Sequence, residues 1–296
     1  MKRVLVLHNP KAGDEDHQKK ELITAIESAG YTCIYSAIRQ QKWKEEKYVD
    51  TILIVGGDGT VRKTIEHLLK IPHLTKRHLL SILPRGTANN IAVTLGSKEH
   101  INDLLERWKK HRIKKVDLGV IQMPAAESFF LEGVGYGFLP RLIAVMAKLK
   151  ISEHIDKKEE LNLALEKLLH VTATYKAKRA MIRVNGQELV GDFLLVEVLN
   201  NGSVGPKLRL APEANMSDGW IEVVLLREDQ REQFIHYLQS LIDGGTAKCP
   251  CQVVRTNHAE IQWECAWLHV DDKLVRLKRK TKLQLGVRHH VLNFLV

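Results

Sequence analysis

The stretch Thr51-Ile52-Leu53-Ile54-Val55-Gly56-Gly57-Asp58-Gly59-Thr60 decides the fold of this chain. Its first five residues are apolar or β-branched, which predicts a buried strand. Three glycines around one aspartate predict a tight elbow, and apolar residues recur at helical spacing from Val61 onward. Glycines let the backbone approach a ligand closely, and the N–H groups at a helix start attract phosphate. The stretch therefore predicts a phosphate site, with a glycine-rich turn that binds nothing as the alternative.

A second elbow, Pro84-Arg85-Gly86-Thr87, follows the predicted strand 79–83. Strands alternate with helices before it, starting with a strand at 2–7 and a helix that Asp14 caps and Gly30 ends. This order predicts an α/β fold with a doubly wound parallel sheet, whose ligand crevice lies at the carboxyl ends of the strands. Both elbows fall at that edge. The first elbow is neither a P-loop, because no Gly-Lys-Ser/Thr follows, nor the G-x-G-x-x-G motif of dinucleotide-binding folds.

The character of the sequence changes from about Lys115. Short strands separated by turns such as Asn185-Gly186 and Asp218-Gly219 predict a second, mostly antiparallel domain. The predicted strands are 116–120, 129–135, 180–184, 193–199, 220–226, 253–261, 267–270, 274–277 and 282–287, with helices at 139–149, 157–169 and 228–242.

The composition, 44% hydrophobic and 27% charged residues, is typical of a globular protein. No apolar run approaches the roughly 20 residues that cross a bilayer, and the apolar run at the N-terminus is too short for a signal peptide. We therefore expect a cytoplasmic location.

The net charge of +10 favours an acidic partner. A tail without acidic residues predicts peripheral contact with an anionic membrane, or else a solvated strand face: Lys273, Arg276, Lys278, Arg279, Lys280, Lys282 and Arg288.

Four cysteines are too few and too scattered for a disulfide framework in a chain of 296 residues. Cys249-Pro250-Cys251 could be combined with Cys265, His258 and His269 around zinc, but this spacing fits no common structural zinc site.

Five short elements are spread over nearly the whole chain: Asn9-Pro10-Lys11-Ala12-Gly13, Gly56-Gly57-Asp58-Gly59-Thr60, Pro84-Arg85-Gly86-Thr87-Ala88-Asn89, Gly133-Val134-Gly135-Tyr136-Gly137-Phe138, and Ala211-Pro212-Glu213-Ala214 with Ser217-Asp218-Gly219-Trp220. In this order they resemble the diacylglycerol kinase catalytic-domain family, in particular its soluble bacterial lipid kinases and, more distantly, the sphingosine kinases. NAD kinases share the second element. The resemblance implies a nucleotide-binding domain at 1–118 plus about 283–296, and a β-sandwich lipid-binding domain at 119–282.

The resemblance also implies ATP and magnesium as cofactors, and a lipid as the substrate. Magnesium would be held by Asp218 with the carbonyls of Asn215 and Trp220, where a plain Asp-Gly turn is the alternative. The implied catalytic acids are Asp58 and Asp271, with Asp272 as a substitute for a missing glutamate. The implied nucleotide contacts are Asn9, Gly56, Gly57, Asp58, Gly59, Thr60, Val61, Arg62, Gly86 and Thr87.

The chain departs from the family pattern at charged positions. The family's general base is the glutamate of an Asp-Gly-Glu triplet, and the best match here is Asp271-Asp272-Lys273. Arg62-Lys63 stands where Asn-Glu is usual, and Asn90 where Asp is usual. We therefore carry two functions forward. One is an ATP- and magnesium-dependent kinase of a diacylglycerol-like or other long-chain lipid; the alternative is a catalytically degenerate relative that binds nucleotide or anionic lipid. A homodimer stays open, and no motif supports nucleic-acid binding.

Overall fold

The computed structural model describes residues 2–9, 15–40, 43, 46, 48–70, 78–123, 126–149 and 156–296. The predicted turn at 10–13 and the predicted cap Asp14 lie outside the described residues. The chain divides into two compact units. The first comprises Met1–Val116 with His290–Val296, and the second comprises Asp117–His289.

The first unit is an α/β layer structure. Its strands are β1 (Arg3–His8), β2 (Thr32–Ala37), β3 (Thr51–Gly56) and β4 (Leu79–Pro84), and its helices are α1 (Glu15–Ser28), α2 (Asp58–Leu69), α3 (Asn90–Leu95) and α4 (Ile101–Lys109). The four strands run parallel in the order β4-β3-β1-β2. The strand order reverses between β1 and β3, which is where open α/β sheets bind their ligands. The predicted doubly wound fold is confirmed.

Burial explains the unbroken apolar run 52–55 of strand β3. Every residue of β3 is buried, as expected for a parallel strand covered on both faces. Helices α1 and α4 contribute Ile26 and Trp108 to the core around Leu53. The Trp108 Nε1–H donates to Ser81 Oγ at 3.0 Å, and that hydroxyl donates to the carbonyl of Leu295 at 3.1 Å. The end of the chain is thereby held within this unit.

The second unit is built mainly of antiparallel strands. They are β5 (Ile113–Met123), β6 (Ala126–Phe130), β7 (Gly133–Gly137), β8 (Lys178–Val184), β9 (Gln187–Leu199), β10 (Ile221–Arg227), β11 (Gln252–Thr256), β12 (His258–Trp263), β13 (Trp267–Val270), β14 (Lys273–Arg276) and β15 (Lys282–Leu295), with helices α5 (Phe138–Met146), α6 (Lys157–Thr174) and α7 (Arg231–Ile242). Strands β5 and β15 each begin in one unit and end in the other.

The long strand β9 changes its pairing partners along its length. Residues 187–193 pair with β8, whereas 193–199 pair with β10 and, over 195–199, with β7. The strands of this unit bury an apolar core in which Tyr136 and Trp263 stack with ring centroids 5.4 Å apart. A second apolar cluster packs the helices against the other face through Phe138, Leu168 and Phe234. The predicted β-sandwich is confirmed. Among the described residues, no helix is both long and apolar enough to cross a bilayer.

Two predicted strands are wrong because each is in fact a pair of strands. The segment 129–135 is interrupted at Leu131 and Glu132, whose N–H groups donate to the side chain of Asp271 instead of to a neighbouring strand. The segment 253–261 is interrupted at Asn257 because the chain changes partners there. Strand β11 pairs with β10, whereas β12 pairs with β8 and β15.

Candidate functional site

The two glycine elbows lie against each other in the first unit. Gly57 precedes α2 and Gly86 follows β4. A Cβ atom added to Gly57 would lie 2.8 Å from the Cα of Gly86, and one added to Gly86 would lie 2.5 Å from the Cα of Gly57. The Arg85 N–H donates to the Gly56 carbonyl at 3.0 Å. Only glycine at both positions permits this approach, so the structure brings together two motifs that the sequence presents separately.

Side chains around the elbows fix this contact. The Asn89 side-chain carbonyl accepts from the Gly86 N–H at 2.9 Å, and its amide donates to the Gly86 carbonyl at 2.8 Å. The Asp58 carboxylate accepts from the backbone N–H groups of Asn90 and Ile91, both at 3.0 Å. These are the first amides of α3, so Asp58 ties the start of that helix to the first elbow.

Asn9 joins the same edge of the sheet from the end of β1. Its backbone N–H donates to the Val55 carbonyl, and its side-chain amide donates to the Thr60 hydroxyl, each at 3.0 Å. The Thr60 side chain fills the space beside Gly56, where a Cβ atom would meet it at 2.7 Å. Asn9, both elbows and Thr60 therefore surround the topological switch point.

Other predicted nucleotide contacts differ in exposure. Gly59 and Thr87 are half-buried on the elbows. The side chain of Val61 is buried in the unit core. Arg62 is also buried, and its guanidinium pairs with Glu66 one helical turn away at 3.0 Å. The N-terminus of α2, with Gly57 before its first turn and Gly59 within it, carries the positive end of a helix dipole, which is suited to phosphate.

In the second unit, Asp271 organises the turn between β13 and β14. Its φ is +51°, a conformation that costs energy for a residue with a side chain. The carboxylate accepts from the N–H groups of Glu132 at 2.8 Å, Leu131 at 3.1 Å and Gly133 at 3.2 Å. The Asp271 side chain is thus engaged with backbone in the interior, whereas Asp272 and Lys273 are exposed on the hairpin.

A buried acid–base pair lies behind this turn. His269 Nε2 is 2.8 Å from Glu197 Oε2, and its Nδ1 is 2.8 Å from the Asp271 carbonyl. Burial raises the pKa of Glu197. Burial alone would lower the pKa of His269, but the charge and hydrogen bond of Glu197 raise it. A Cβ at Gly135 would collide with the Glu197 carboxylate, which explains why this strand carries glycine.

Sequence analysis missed the pair of Glu197 and His269. An acidic residue within the apolar run 193–199 is the signal that could have revealed it, because a buried carboxylate requires a partner.

The predicted magnesium site does not fit a metal ion as its residues are arranged. Asp218 Oδ2 is 2.5 Å from Arg255 Nη2, and Oδ1 accepts from the Trp220 N–H at 3.1 Å. The Asn215 carbonyl accepts from the Ser217 N–H at 2.7 Å. A guanidinium therefore already balances the carboxylate that a divalent cation would need.

Buried carboxylates surround the same turn. Asp117 is fully buried and accepts from the Gly219 N–H at 2.7 Å, which holds the Asp218-Gly219 turn. Burial, with the nearby charge of Asp218, raises the pKa of Glu222 to about 7, although Arg255 opposes this shift. Sequence analysis missed Asp117, Glu222 and Arg255, because they are separated along the chain and meet only in the folded unit.

Comparisons with known proteins account for both units. The family model "Diacylglycerol kinase catalytic domain" matches residues 3–121, and the model "YegS C-terminal NAD kinase beta sandwich-like domain" matches residues 146–273. A protein named "Diacylglycerol kinase" from Bacillus subtilis (strain 168) is 26% identical over 82% of this chain and 80% of its own length. A protein named "Probable lipid kinase YegS-like" from Yersinia enterocolitica is 26% identical over 75% of this chain and 74% of its own length.

Solved structures agree in fold. A crystal structure of a diacylglycerol kinase from Bacillus anthracis str. Sterne superposes with a TM-score of 0.68 over 99% of this chain and 96% of that one. The two sequences are 19% identical, so this likeness concerns the fold alone. The matched domain models and the sequence relatives carry the assignment further: residues 3–121 form a diacylglycerol kinase catalytic domain, residues 146–273 form a YegS-type C-terminal β-sandwich domain, and the relatives are named diacylglycerol kinase or probable lipid kinase.

Proposed function

We propose that this protein binds ATP, as its magnesium complex, at the paired elbows and transfers the terminal phosphoryl group to a hydroxyl of a diacylglycerol-like or other long-chain lipid. The observation that carries the proposal is the backbone contact between Gly57 and Gly86 at the switch point of the sheet. Phosphoryl transfer depends mainly on positioning and charge stabilisation, and phosphate-binding backbone supplies both.

In this proposal, the predicted residues divide into those that bind the nucleotide, those that position other elements and one that accepts a proton. The backbone at Gly57 and Gly59 would hold phosphate, and Thr87 would contact the nucleotide. Asp58 would act as a positioning residue, because both of its oxygens accept backbone N–H groups of α3. Asp271 would likewise position the hairpin. The exposed carboxylate of Asp272 would then be the one that accepts the proton of the lipid hydroxyl.

Transfer of labelled phosphate from ATP to a panel of lipid alcohols in mixed micelles tests the proposal. We expect a labelled phospholipid from at least one long-chain alcohol, and ATP binding by calorimetry. Failure of wild-type protein to bind ATP would contradict the nucleotide site itself.

A second candidate function is favoured by one observation. Lys273 lies exposed on the hairpin where the family has its glutamate base, and a protonated amine cannot accept a proton. The protein would then bind nucleotide or anionic lipid without efficient turnover. ATP binding with no transfer to any lipid is the result that this candidate predicts.

We also propose that the protein is cytoplasmic and that its basic tail contacts the inner face of the membrane peripherally. Lys282 and Arg288 are ion-paired with Glu260 at 2.6 Å and with Glu127 at 2.7 Å. We name one exposed surface the Trp267 patch, which combines the indole on β13 with basic residues at the end of β14 and directly after it: Trp267, Arg276, Lys278, Arg279 and Lys280.

The contacts of the Trp267 patch suit a bilayer surface. Trp267 is 47% exposed, and the Arg276 guanidinium lies 5.7 Å from the centre of its ring. The N–H groups of Leu277 and Lys280 donate to the carbonyls of Ala266 and Trp263, which keeps the basic loop beside the tryptophan. Tryptophan beside lysine and arginine is the composition of membrane-interface surfaces.

A further inference from the structure

Two thiols face each other in the second unit, on the segment that joins α7 to β11. The Sγ atoms of Cys249 and Cys251 are 3.1 Å apart. Gln230 fixes the segment between them, because its side-chain amide donates to the Pro250 carbonyl at 2.8 Å. Both cysteines are partly exposed, and both pack against the apolar cluster that contains Phe138, Leu168 and Phe234. They are therefore held in place yet reachable from solvent.

The remaining cysteines differ in setting. Cys33 lies in β2 of the first unit, and burial raises its pKa to about 11, so its thiol stays protonated. Cys265 follows β12 in the second unit. All four cysteines are free thiols. The Cys249–Cys251 pair is therefore the place in the described chain where two sulfur atoms are already in contact.

The contact makes the two thiols differ in reactivity, because it shifts their pKa values in opposite directions. The hydrogen bond between the two thiols lowers the pKa of Cys249, whereas the same hydrogen bond, together with burial, raises the pKa of Cys251. The thiolate is the nucleophilic form of cysteine. Cys249 is accordingly the attacking sulfur and Cys251 the resolving one.

We propose that Cys249 and Cys251 form a dithiol modification site, which a small disulfide such as glutathione disulfide converts into an intramolecular disulfide. This goes beyond the proposed kinase function and does not depend on it. The Cys249 thiolate attacks one sulfur of glutathione disulfide, forms a mixed disulfide and releases one glutathione thiolate. Cys251 then loses its proton to solvent and attacks Cys249 Sγ, which expels the second glutathione. Two protein thiols are oxidised, and one glutathione disulfide is reduced to two glutathione molecules.

The geometry indicates a reversible bond and not a structural one. The sulfur atoms need to approach by about 1 Å to reach the disulfide bond length of roughly 2.05 Å. A loop that contains a single residue restricts the unfolded chain very little, so the disulfide gains little stability from that source. Disulfides of this kind are readily reduced and serve as labile sites.

Intact-mass and peptide mass spectrometry of the full chain test the proposal. The reduced protein is incubated with glutathione disulfide and quenched with acid. We expect the 249–251 peptide to lose two hydrogen atoms, and dithiothreitol to restore both thiols. Cys251→Ser should stop at one glutathione attached to Cys249, whereas Cys249→Ser should leave Cys251 at least about tenfold less reacted in the same time.

Binding of phenylarsine oxide provides a second readout, since trivalent arsenic requires two neighbouring thiols. We expect one arsenical per wild-type chain, and loss of binding in each single variant. The proposal is overturned if glutathione attaches to Cys33 or Cys265 while the 249–251 peptide stays reduced, or if both serine variants react at the same rate.

Discussion

At the scale of single residues, glycines set the geometry of the candidate site, because a residue without a Cβ atom lets other groups come close. Gly57 and Gly86 bring two backbones into contact, and Gly135 leaves space for the Glu197 carboxylate. Each of these glycines lies in a motif that sequence analysis identified. The physical reason for each differs, because the elbows approach each other whereas the strand glycine accommodates a buried carboxyl group.

Gly57→Ala should force the elbows apart, because its Cβ would lie 2.8 Å from the Cα of Gly86. We expect a loss of about 1–3 kcal/mol in the free energy of unfolding, typical of overpacking, together with weaker ATP binding. Urea denaturation and calorimetry measure the two effects. Gly286→Ala is the matched control, because its Cβ would meet the Asn257 carbonyl at an ordinary 3.6 Å. Equal stability and equal ATP affinity in Gly57→Ala and wild type would refute the assigned contact.

Asp271→Ala should destabilise the second unit, because the N–H groups of Leu131, Glu132 and Gly133 lose their acceptor. Unsatisfied buried donors cost about 1–3 kcal/mol each and are not additive, so we expect a loss of roughly 3 kcal/mol. Urea denaturation measures it, and the exposed neighbour Asp272→Ala should change stability by less than about 0.5 kcal/mol. A similar small change in both variants would show that Asp271 is not the anchor of this turn.

At the scale of secondary-structure elements, periodicity and turn residues predicted most strands and helices, because those signals are local. The two misjudged strands show the limit. The interruption at Leu131 and Glu132 depends on Asp271, which lies about 140 residues further along the chain. The interruption at Asn257 depends on which strands pair with β11 and β12. Neither cause is visible in the segment itself.

Glu222, which lies in β10 close after the Asp218-Gly219 turn, should make the free energy of unfolding depend on pH. Its pKa is raised from the ordinary 4.5 to about 7, chiefly by burial. Between these values the native state binds more protons than the unfolded state, so the free energy of unfolding falls as pH rises through this window. Above about pH 7 the full loss, up to roughly 3 kcal/mol, is present.

Glu222→Gln removes this titration. Denaturation at about pH 5 and pH 8 should show that the variant gains stability relative to wild type at the higher pH only. Parallel pH profiles for the two proteins would disprove the role of Glu222.

At the scale of the whole molecule, the sequence motifs identified the fold and both elbows, because they encode local backbone geometry. They could not identify the partners of the charged residues. Arg255 neutralises Asp218 from a strand 37 residues away, and Asp58 binds the start of a helix more than 30 residues along. Such pairings are created by the tertiary fold, and they change the chemistry that the motifs alone suggest.

The Trp267 patch should bind anionic vesicles at low salt and release them at high salt. Lys280→Gln should weaken binding by about fivefold, corresponding to about 1 kcal/mol for each basic residue near an anionic surface. Lys282→Gln is the control, because Lys282 is already paired with Glu260 and should matter less. Vesicle sedimentation measures both variants. Equal binding to neutral and anionic vesicles would argue against the patch as an electrostatic membrane contact.

Turnover of Lys273→Glu against wild type tests the central claim most directly, namely that a lipid kinase fold is retained here with a weakened base. The measurement is transfer of labelled phosphate from ATP to the lipid alcohol that wild type or the variant accepts best. A general base contributes about 10²–10⁴-fold to a rate, so we expect slow wild-type transfer and an increase of about tenfold or more in Lys273→Glu, with ATP affinity unchanged. Brisk wild-type transfer that Lys273→Glu leaves unaltered would contradict the account.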